Sequence, residues 1–292
     1  MADGSMIEAS LRGRLKREVR VGDRVVIGDR VRVEPAPSPA GDAWVIEAVE
    51  PRQSSIVRRS GPGRKPKVVA ANVDRVVVVV ALRSPDPRAE VIDRMLVLAE
   101  ADQIPAVIVL NKIDLPRATE IAEKLQARFE ASGYTCIETS AVTNEGIDAL
   151  RSVLSEGISA FIGPSGVGKS SLLNALDPTL ELRTGLLSRK LERGRHTTVS
   201  ARLIPLQHGG LVADTPGFGE VGVWGVDAEA MEQCFPEILA RSGECRFRGC
   251  SHRHEPGCAV REAVEAGEID RERLDVYGLL RDEAEMDRER ER

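Results

Sequence analysis

The sequence is poor in aromatic residues, in long apolar runs and in cysteine. Aromatics make up 3% of the 292 residues, and no apolar run approaches the roughly 18 residues that a membrane-spanning helix requires. The first residues, 1–6, lack the basic and apolar segments of a secretory signal. These absences predict a cytoplasmic protein with no membrane span. The cysteines number five, and an odd count without a secretory segment argues against a disulfide framework.

A phosphate-binding loop is the clearest motif that is present. Residues 163–170 match G-x-x-x-x-G-K-[ST] in full, between an apolar strand predicted at 158–162 and a helix predicted at 171–176. Its glycines let backbone N–H groups turn toward phosphates, Lys169 reaches the β- and γ-phosphates, and the Ser170 hydroxyl ligates Mg²⁺. The expected nucleotide contacts of this loop are Gly163, Pro164, Ser165, Gly166, Val167, Gly168, Lys169, Ser170 and Ser171.

A guanine-specificity motif precedes that loop, whereas in an ordinary GTPase it follows. Asn111, Lys112 and Asp114 form N-K-x-D after an apolar strand. The Asp114 carboxylate accepts from the N1–H and N2–H₂ groups of guanine, which adenine lacks, so ATP would leave it unpaired. Ser140 and Ala141 form the loop whose backbone contacts guanine O6. Because both motifs are intact, their reversed order predicts a circularly permuted P-loop GTPase core.

Two further segments have the features of GTPase switches. Asp214 begins a D-x-x-G motif, in which it holds Mg²⁺ through water while the Gly217 N–H contacts the γ-phosphate. One threonine of the segment R-G-R-H-T-T, Arg193–Thr198, completes the Mg²⁺ shell. Phe218 stands where a water-orienting glutamine is usual, so we expect slow intrinsic hydrolysis. His196 is the candidate catalytic group, and packing or capping of the switch is its alternative role.

The C-terminal part concentrates the residue types that bind zinc. Three of the five cysteines and two histidines fall within residues 245–258. Three thiolates and one imidazole in tetrahedral array make a closed, structural zinc site. The candidate ligands are Cys245, Cys250, His252 and Cys258, with His254 as the competitor of His252. The other two cysteines, Cys136 and Cys234, lie in apolar contexts and are expected in the core.

The segments between the motifs predict three domains. Residues 1–70, with β-branched alternation at 6–11, 24–33 and 43–49, predict an OB-like β-barrel and a linker at 58–67. Residues 71–227 alternate strands with helices at about 88–103, 117–131 and 146–155, which predicts a parallel sheet with helices on both faces. Residues 228–292 predict a helical zinc-binding domain with too few apolar residues for an independent core.

Charge is unevenly distributed along the chain. The net charge is −5, yet residues 1–70 hold 14 Lys/Arg and 9 Asp/Glu, an excess of +5. The basic residues of this part and of the linker offer phosphate partners for RNA. The alternative to RNA binding is a solvated charged face for the basic residues of the N-terminal part and an ordinary flexible spacer for the linker. The arginines and lysine nearest the first strand are Arg12, Arg14, Lys16, Arg17 and Arg20.

The motifs occur along the chain in the order N-K-x-D, S-A, G-P-S-G-V-G-K-S-S, G-R-H-T-T, D-T-P-G-F and then the Cys/His cluster. This order closely resembles that of the RsgA family (also YjeQ or YloQ) of small-subunit-dependent GTPases, over about residues 11–280. The resemblance implies an N-terminal OB-fold, a permuted GTPase core and a C-terminal zinc domain. It also implies Thr198 as the Mg²⁺ threonine and Cys245, Cys250, His252 and Cys258 as zinc ligands. Family members usually have a strand before the segment that resembles Ser10–Gly13. Only nine residues precede that segment here, so a closed barrel and one missing its first strand are both open.

The resemblance further implies a late assembly factor of the 30S subunit whose GTP hydrolysis the subunit stimulates. The expected partners are GTP, GDP and the 30S subunit with its 16S rRNA, and the expected state is a monomer. One alternative is a GTP-dependent rRNA-binding scaffold with incidental turnover. Another is a permuted GTPase that acts on the large subunit, although the zinc cluster and the N-terminal β-domain argue against it.

Overall fold

The computed structural model of the chain describes residues 7–12, 25–36, 43–58, 67–182, 202–214 and 226–290. The N-terminal strands are β1 (Ala9–Leu11), β2 (Val31–Ala36), β3 (Ala43–Val49), β4 (Ser55–Arg58) and β5 (Lys67–Ala71). β1 is parallel and β2 antiparallel to the central β3, while β4 pairs with β5 in a separate sheet. An isolated β-bridge joins Ile27, which precedes β2, to Ala70 of β5. The described residues thus form two small sheets and not one closed barrel.

Two N-terminal segments differ from the sequence expectation. The strand predicted at 24–33 begins only at Val31, because the Asp29 carboxylate accepts the Val26 N–H at 2.8 Å and turns the chain there. The linker predicted at 58–67 instead connects the antiparallel strands β4 and β5. Its glycines, prolines and basic residues are typical of a linker, and the short strands beside it have no distinctive pattern. Residues 59–66 lie outside the described part.

The α/β core is built on a six-stranded sheet with the order β10-β11-β9-β6-β7-β8. The strands are β6 (Arg75–Ala81), β7 (Ala106–Asn111), β8 (Thr135–Thr139), β9 (Ile158–Ile162), β10 (Arg202–Pro205) and β11 (Leu211–Asp214). All neighbours are parallel except β10 and β11. The predicted parallel sheet is thus confirmed for β11, β9, β6, β7 and β8, and β10, which was not predicted, adds an antiparallel edge strand. Residues 206–210 form a connection too short for a crossover, so the pair must be antiparallel.

Helices cover both faces of the sheet, as the sequence predicts. The core helices are α1 (Ala89–Ala101), α2 (Ala118–Ala131), α3 (Ile147–Val153) and α4 (Lys169–Leu176). Side chains of β6 alternate between two buried clusters because successive strand residues point to opposite faces. Val78 and Val80 pack with α1 and α2, and Val77 and Val79 pack with α3 and α4.

The C-terminal part is helical and packs on α1. It contains a 3₁₀ helix (Met231–Cys234), α5 (Pro236–Ser242), α6 (Ala259–Glu265) and α7 (Arg271–Arg290). Phe235 and Tyr277 belong to a buried cluster that also includes Val97 of α1. The apolar cluster of this part thus includes a residue of α1 and is shared with the α/β core. Among the helices within the described ranges, none combines the length and apolarity of a membrane span.

Helix α1 also contacts the N-terminal part of the chain. The N–H of Val57, in β4, donates to Oδ2 of Asp102 at 3.0 Å. Asp102 is the residue that follows the last turn of α1. One helix of the core is thus in contact with both flanking parts.

Candidate nucleotide site and metal centre

The phosphate loop joins β9 to α4, as predicted. Gly163 and Gly168 have φ angles of 154° and 100°, which residues other than glycine rarely adopt. A Cβ at Gly163 would lie 2.4 Å from the carbonyl oxygen of Val79, and one at Gly168 would lie 2.3 Å from Nδ2 of Asn111. Glycine is therefore required twice, for backbone conformation and for close approach. Since α4 begins at Lys169, the loop leads directly into a helix N-terminus.

Polar side chains cluster at the start of α4. Nζ of Lys169 donates to the carbonyl oxygens of Gly163 at 2.6 Å and Pro164 at 3.0 Å, which folds the side chain back over its own loop. Ser170–Ser171 follow in the first helical turn and are half-buried, while the loop tip, Ser165–Gly166, is exposed. An ammonium group and two hydroxyls thus meet at one helix end, an arrangement suited to a magnesium-bound polyphosphate.

Asn111 joins the guanine-side motif to the phosphate loop. Its side chain is buried, and its Nδ2 donates to the carbonyl oxygen of Val167 at 2.8 Å. The hydroxyl of Thr139, at the end of β8, donates to Oδ1 of Asn111 at 3.2 Å. Both ends of the amide therefore have protein partners, and the ends of β7 and β8 are fixed to the loop that follows β9.

Lys112 makes a second connection to the same loop. Its Nζ donates to the carbonyl oxygen of Gly166 at 2.7 Å and also to that of Ser84. Burial lowers the pKa of this ammonium group, and the nearby Asp114 carboxylate offsets part of the effect. Ser84 lies between β6 and α1, in a segment that sequence reasoning did not connect with the site. No spacing motif marks it, so only the folded chain reveals the contact.

Asp114 is oriented by the second guanine-side loop. The hydroxyl of Ser140 donates to Oδ1 of Asp114 at 2.6 Å, and the Ser140 hydroxyl oxygen in turn accepts the N–H of Thr143 at 3.0 Å. Ser140 is fully buried, whereas Asp114 is exposed and Ala141 half-buried. The carboxylate is therefore accessible to a ligand while a buried hydroxyl fixes its direction.

The predicted switch residues are described only in part. His196, Thr197, Thr198, Gly217 and Phe218 lie outside the described residues. Asp214 is the last residue of β11, which lies beside β9 in the sheet. The backbone of Asp214 thus approaches the same sheet edge as the phosphate loop.

The predicted metal ligands come together in the C-terminal part. One donor atom from each of Cys245, Cys250, His252 and Cys258 lies within 4.8 Å of the others. Nδ1 of His252 is 3.6 Å from the sulfur of Cys245 and 3.4 Å from that of Cys258. His254 is exposed and does not belong to this group. The structure thus brings together the predicted Cys₃His set, which could hold a metal ion.

The donor chemistry of this cluster fits a metal cation. Burial, together with the neighbouring Cys258 thiol, raises the pKa of Cys250 to about 12, so its thiolate requires a compensating cation. Nε2 of His252 lies 3.1 Å from a carboxylate oxygen of Glu232, which fixes the ring so that Nδ1 faces the sulfurs. Glu232 was not predicted, because it precedes His252 by 20 positions and belongs to no spacing pattern.

The Glu255 carboxylate stabilises the loop that holds these ligands. It accepts the N–H and hydroxyl of Ser251 at 2.8 and 2.5 Å and the N–H groups of Arg253 and His254 at 3.1 and 3.2 Å. These hydrogen bonds, led by that from the Ser251 hydroxyl, hold the pKa of Glu255 well below its usual range. The backbone around His252, which has a φ of 61°, is thereby fixed.

The site and the strand order define the class of protein. The elements that bear N-K-x-D and S-A precede the phosphate loop in the chain, yet they converge on it in one sheet. This is the architecture of a circularly permuted P-loop GTPase. The sequence matches the model of the RsgA GTPase family over residues 49–224, and the chain belongs to that family.

Curated relatives and solved structures agree with this assignment. A protein of Gemmatimonas aurantiaca named small ribosomal subunit biogenesis GTPase RsgA is 48% identical over 96% of this chain and 91% of its own length. A protein of the same name from Moorella thermoacetica is 44% identical over 94% and 89%. The crystal structure of YjeQ from Thermotoga maritima has a TM-score of 0.75 and 35% identity, with 94% and 89% coverage. YloQ, described as a circularly permuted GTPase, has a TM-score of 0.71 and 30% identity, with 94% and 85% coverage.

Proposed function

We propose that this chain hydrolyses GTP to GDP and acts in the late assembly of the small ribosomal subunit. The main support is the joining of two motifs in reversed order into one site. The side chains of Asn111 and Lys112 donate hydrogen bonds to the carbonyl oxygens of Val167 and Gly166. The guanine-side loop and the phosphate loop are thereby close enough to contact a single nucleotide. The names of the relatives, small ribosomal subunit biogenesis GTPase, indicate the process in which that hydrolysis is used.

The nucleotide is bound at both of its ends. Asp114, directed by Ser140, accepts from the guanine N1–H and N2–H₂, and the backbone of Ser140 and Ala141 contacts O6. Lys169 reaches the β- and γ-phosphates from the first residue of α4. The phosphate loop supplies N–H groups, and the Gly217 N–H contacts the γ-phosphate.

Two metals belong to this proposal. Ser170, Thr198 and Asp214 would hold Mg²⁺, which neutralises charge on the β- and γ-phosphate oxygens when it is bound. The Cys245, Cys250, His252 and Cys258 cluster would hold one structural zinc ion, because four protein ligands leave no open coordination position.

Hydrolysis requires a group that the phosphate loop does not provide. Phe218 follows the D-x-x-G motif, and a phenyl ring cannot orient water. We infer that docking on the small subunit positions either His196 or a group of the 16S rRNA against the attacking water. GTP favours the bound, closed form, and conversion to GDP releases the switches and the protein.

The three parts of the chain are assigned as an OB-like β-domain with its linker (1–70), the permuted GTPase domain (71–227) and a zinc-binding helical domain (228–292). The excess positive charge of residues 1–70 supports contact with rRNA. We infer a monomer that works in the cytoplasm, the compartment in which a bacterial small subunit is assembled.

Steady-state GTP hydrolysis in the presence of purified ribosomal subunits tests the proposal. The rate is measured alone, with 30S particles and with 50S particles, for the unsubstituted chain and for His196→Ala. His208→Ala is the matched control, because His208 is an exposed histidine in the turn between β10 and β11. We expect strong stimulation by 30S particles, which His208→Ala retains.

The alternatives give different results in the same assay. No stimulation by either particle would favour the GTP-dependent scaffold, and stimulation by 50S particles alone would favour a large-subunit GTPase. Loss of stimulation in His196→Ala would identify His196 as the group that completes hydrolysis. Full stimulation of that variant would assign the role to the rRNA.

A further inference from the structure

The loop that holds the metal ligands displays an aromatic ring on its surface. Phe247 is 45% exposed and is the only aromatic residue among the large exposed apolar side chains of the described part. Phe129, Tyr134, Phe235 and Tyr277, by contrast, are buried. The chain contains few aromatics, and this ring is accessible to a partner.

The residue that precedes the ring, Arg246, is held in place by contacts with Gly257. The N–H of Arg246 donates to the carbonyl oxygen of Gly257 at 3.0 Å, and the Arg246 side chain lies over that glycine. A Cβ at Gly257 would be 3.1 Å from Cβ and 3.4 Å from Cδ of Arg246, so the close contact depends on glycine. The guanidinium carbon of Arg246 then lies 5.5 Å from the centroid of the Phe247 ring. Cys245 and Cys250, two of the candidate metal ligands, lie on either side of this pair.

Positive charge surrounds the ring. Arg246 and Arg248 are exposed, and neither forms an ion pair with a carboxylate of the described residues. Arg253, by contrast, donates to the carbonyl oxygen of Gly278 at 3.1 Å and to the Asp282 carboxylate, and so connects the loop to α7. The two arginines that flank Phe247 are therefore available to an anionic partner.

We propose that Phe247 is a stacking platform for an unpaired base of RNA, with Arg246 and Arg248 contacting the adjoining phosphates. An exposed ring flanked by cations suits a single-stranded nucleic acid, because every base has a face that stacks and every nucleotide has a phosphate. A purely protein partner would need the apolar surface but not this arrangement of charge. The inference rests on the proposed function, which supplies a ribosomal particle as the source of the RNA.

Binding of a 12-nucleotide uridine RNA to the full-length, zinc-loaded chain tests the platform. Fluorescence anisotropy measures the Kd at several salt concentrations for Phe247→Ala, Phe247→Tyr, Phe247→Leu and Arg248→Gln. Leu239→Ala is the matched control, since Leu239 is also 45% exposed and lies on α5 of the same part. Zinc content and melting temperature verify that each variant is folded.

Stacking and phosphate contact predict different signatures. Phe247→Ala should raise the Kd about tenfold without changing the slope of log Kd against log salt, because no phosphate contact is lost. Phe247→Tyr should retain the affinity of the unsubstituted chain, because tyrosine also stacks, whereas Phe247→Leu should not. Arg248→Gln should reduce the magnitude of the salt slope by about 0.7. Leu239→Ala should bind as the unsubstituted chain does.

Three results would overturn the proposal. The RNA could fail to bind the unsubstituted chain, or Phe247→Ala could bind it unchanged. Leucine could also replace phenylalanine without loss, which would indicate a non-specific apolar contact and not stacking of a base on the ring. Stimulation of GTP hydrolysis by 30S particles, measured in parallel on the unsubstituted chain, decides the proposed function separately from the platform.

Discussion

Nη1 of Arg273 donates to Oδ1 of Asp93 at 2.8 Å, and both side chains are completely buried. The pair connects α7 of the C-terminal part to α1 of the GTPase core. Arg273 also donates to both carboxylate oxygens of Glu237 at 2.6 and 3.0 Å, and its guanidinium lies 4.7 Å from the ring centroid of Phe235. Burial raises the pKa of Asp93, and the charges of Arg273 and Arg128 offset part of that rise. Each charge in this interface thus depends on its partners.

Removing Arg273 should therefore destabilise the protein strongly. In Arg273→Leu the Asp93 and Glu237 carboxylates lose their central partner, and breaking a buried pair in this way costs about 3–5 kcal/mol. Urea unfolding measures the loss. Arg288→Leu is the control: its pair with Glu229 is exposed, at 53% and 68% for the two side chains, so its loss should change the free energy of unfolding far less. Equal losses in the two variants would contradict this account of the interface.

A second prediction concerns Gly168 in the phosphate loop. Gly168→Ala places a Cβ 2.3 Å from Nδ2 of Asn111, so it should disrupt the hydrogen bond between Asn111 and Val167. We expect GTP binding to weaken about tenfold or more, which corresponds to a loss of about 1.4 kcal/mol. Gly133→Ala separates this effect from backbone strain, because Gly133 has a similar φ of 89° but open space around its Cβ position. It should lower stability by about 1 kcal/mol without changing GTP affinity. Titration with a fluorescent GTP analogue compares the two, and similar affinities would count against the role of Asn111.

A third prediction concerns pH and Asp177, which follows α4. Its Oδ1 accepts the hydroxyl and N–H of Thr179 at 2.6 and 3.0 Å, and its Oδ2 accepts the N–H of Gln207 at 3.2 Å. These bonds, led by the Thr179 hydroxyl, lower the pKa of Asp177. The resulting stability is present above the unfolded pKa, about 3.9, and is lost as pH falls through the lower folded value.

The comparison of Asp177→Asn with the unsubstituted chain tests this. The unsubstituted chain should have the larger free energy of unfolding at pH 5–8, and the difference should shrink below about pH 4. Taking the difference removes other acid-sensitive contributions, such as those of the metal ligands. A difference that stayed constant down to pH 3 would show that Asp177 is not the titrating group.

Metal removal provides a fourth prediction. A strong chelator at pH 8 should unmask the thiols of Cys245, Cys250 and Cys258 to alkylation and lower the melting temperature of the C-terminal part, because metal binding is coupled to folding. Cys136 should remain slow to react, since burial and the nearby Glu130 and Glu138 carboxylates raise its pKa to about 12. Mass spectrometry of alkylated peptides measures each site. Rapid alkylation of all three ligands before chelation would argue against a bound metal.

The core could be predicted from the sequence because its signals are local. Residues 76–80 are consecutive valines, which indicate a strand buried on both faces, and the predicted core helices agree with α1, α2 and α3 to within two residues. The Cys/His spacing likewise predicted the ligands, and the choice of His252 over His254, which followed from the family resemblance, agrees with the fold.

What could not be predicted depends on contacts between distant residues. The Arg273–Asp93 bond spans 180 positions, and no periodicity indicates which of many arginines is buried. The support given by Ser84 to Lys112 and by Glu232 to His252 is of the same kind. The pairing of β4 with β5 was missed because a basic, glycine- and proline-rich connection obscures both short strands.

Helix α1 contacts the C-terminal part and the N-terminal part of the chain and borders the phosphate loop. Asp93 and Val97 meet the C-terminal part, Asp102 at its end receives the N–H of Val57, and Ile92 lines a cavity with Pro164 of the phosphate loop. All of these contacts fall within a single helix about 20 Å long. A displacement of this helix would therefore disturb the phosphate loop and both flanking parts of the chain together.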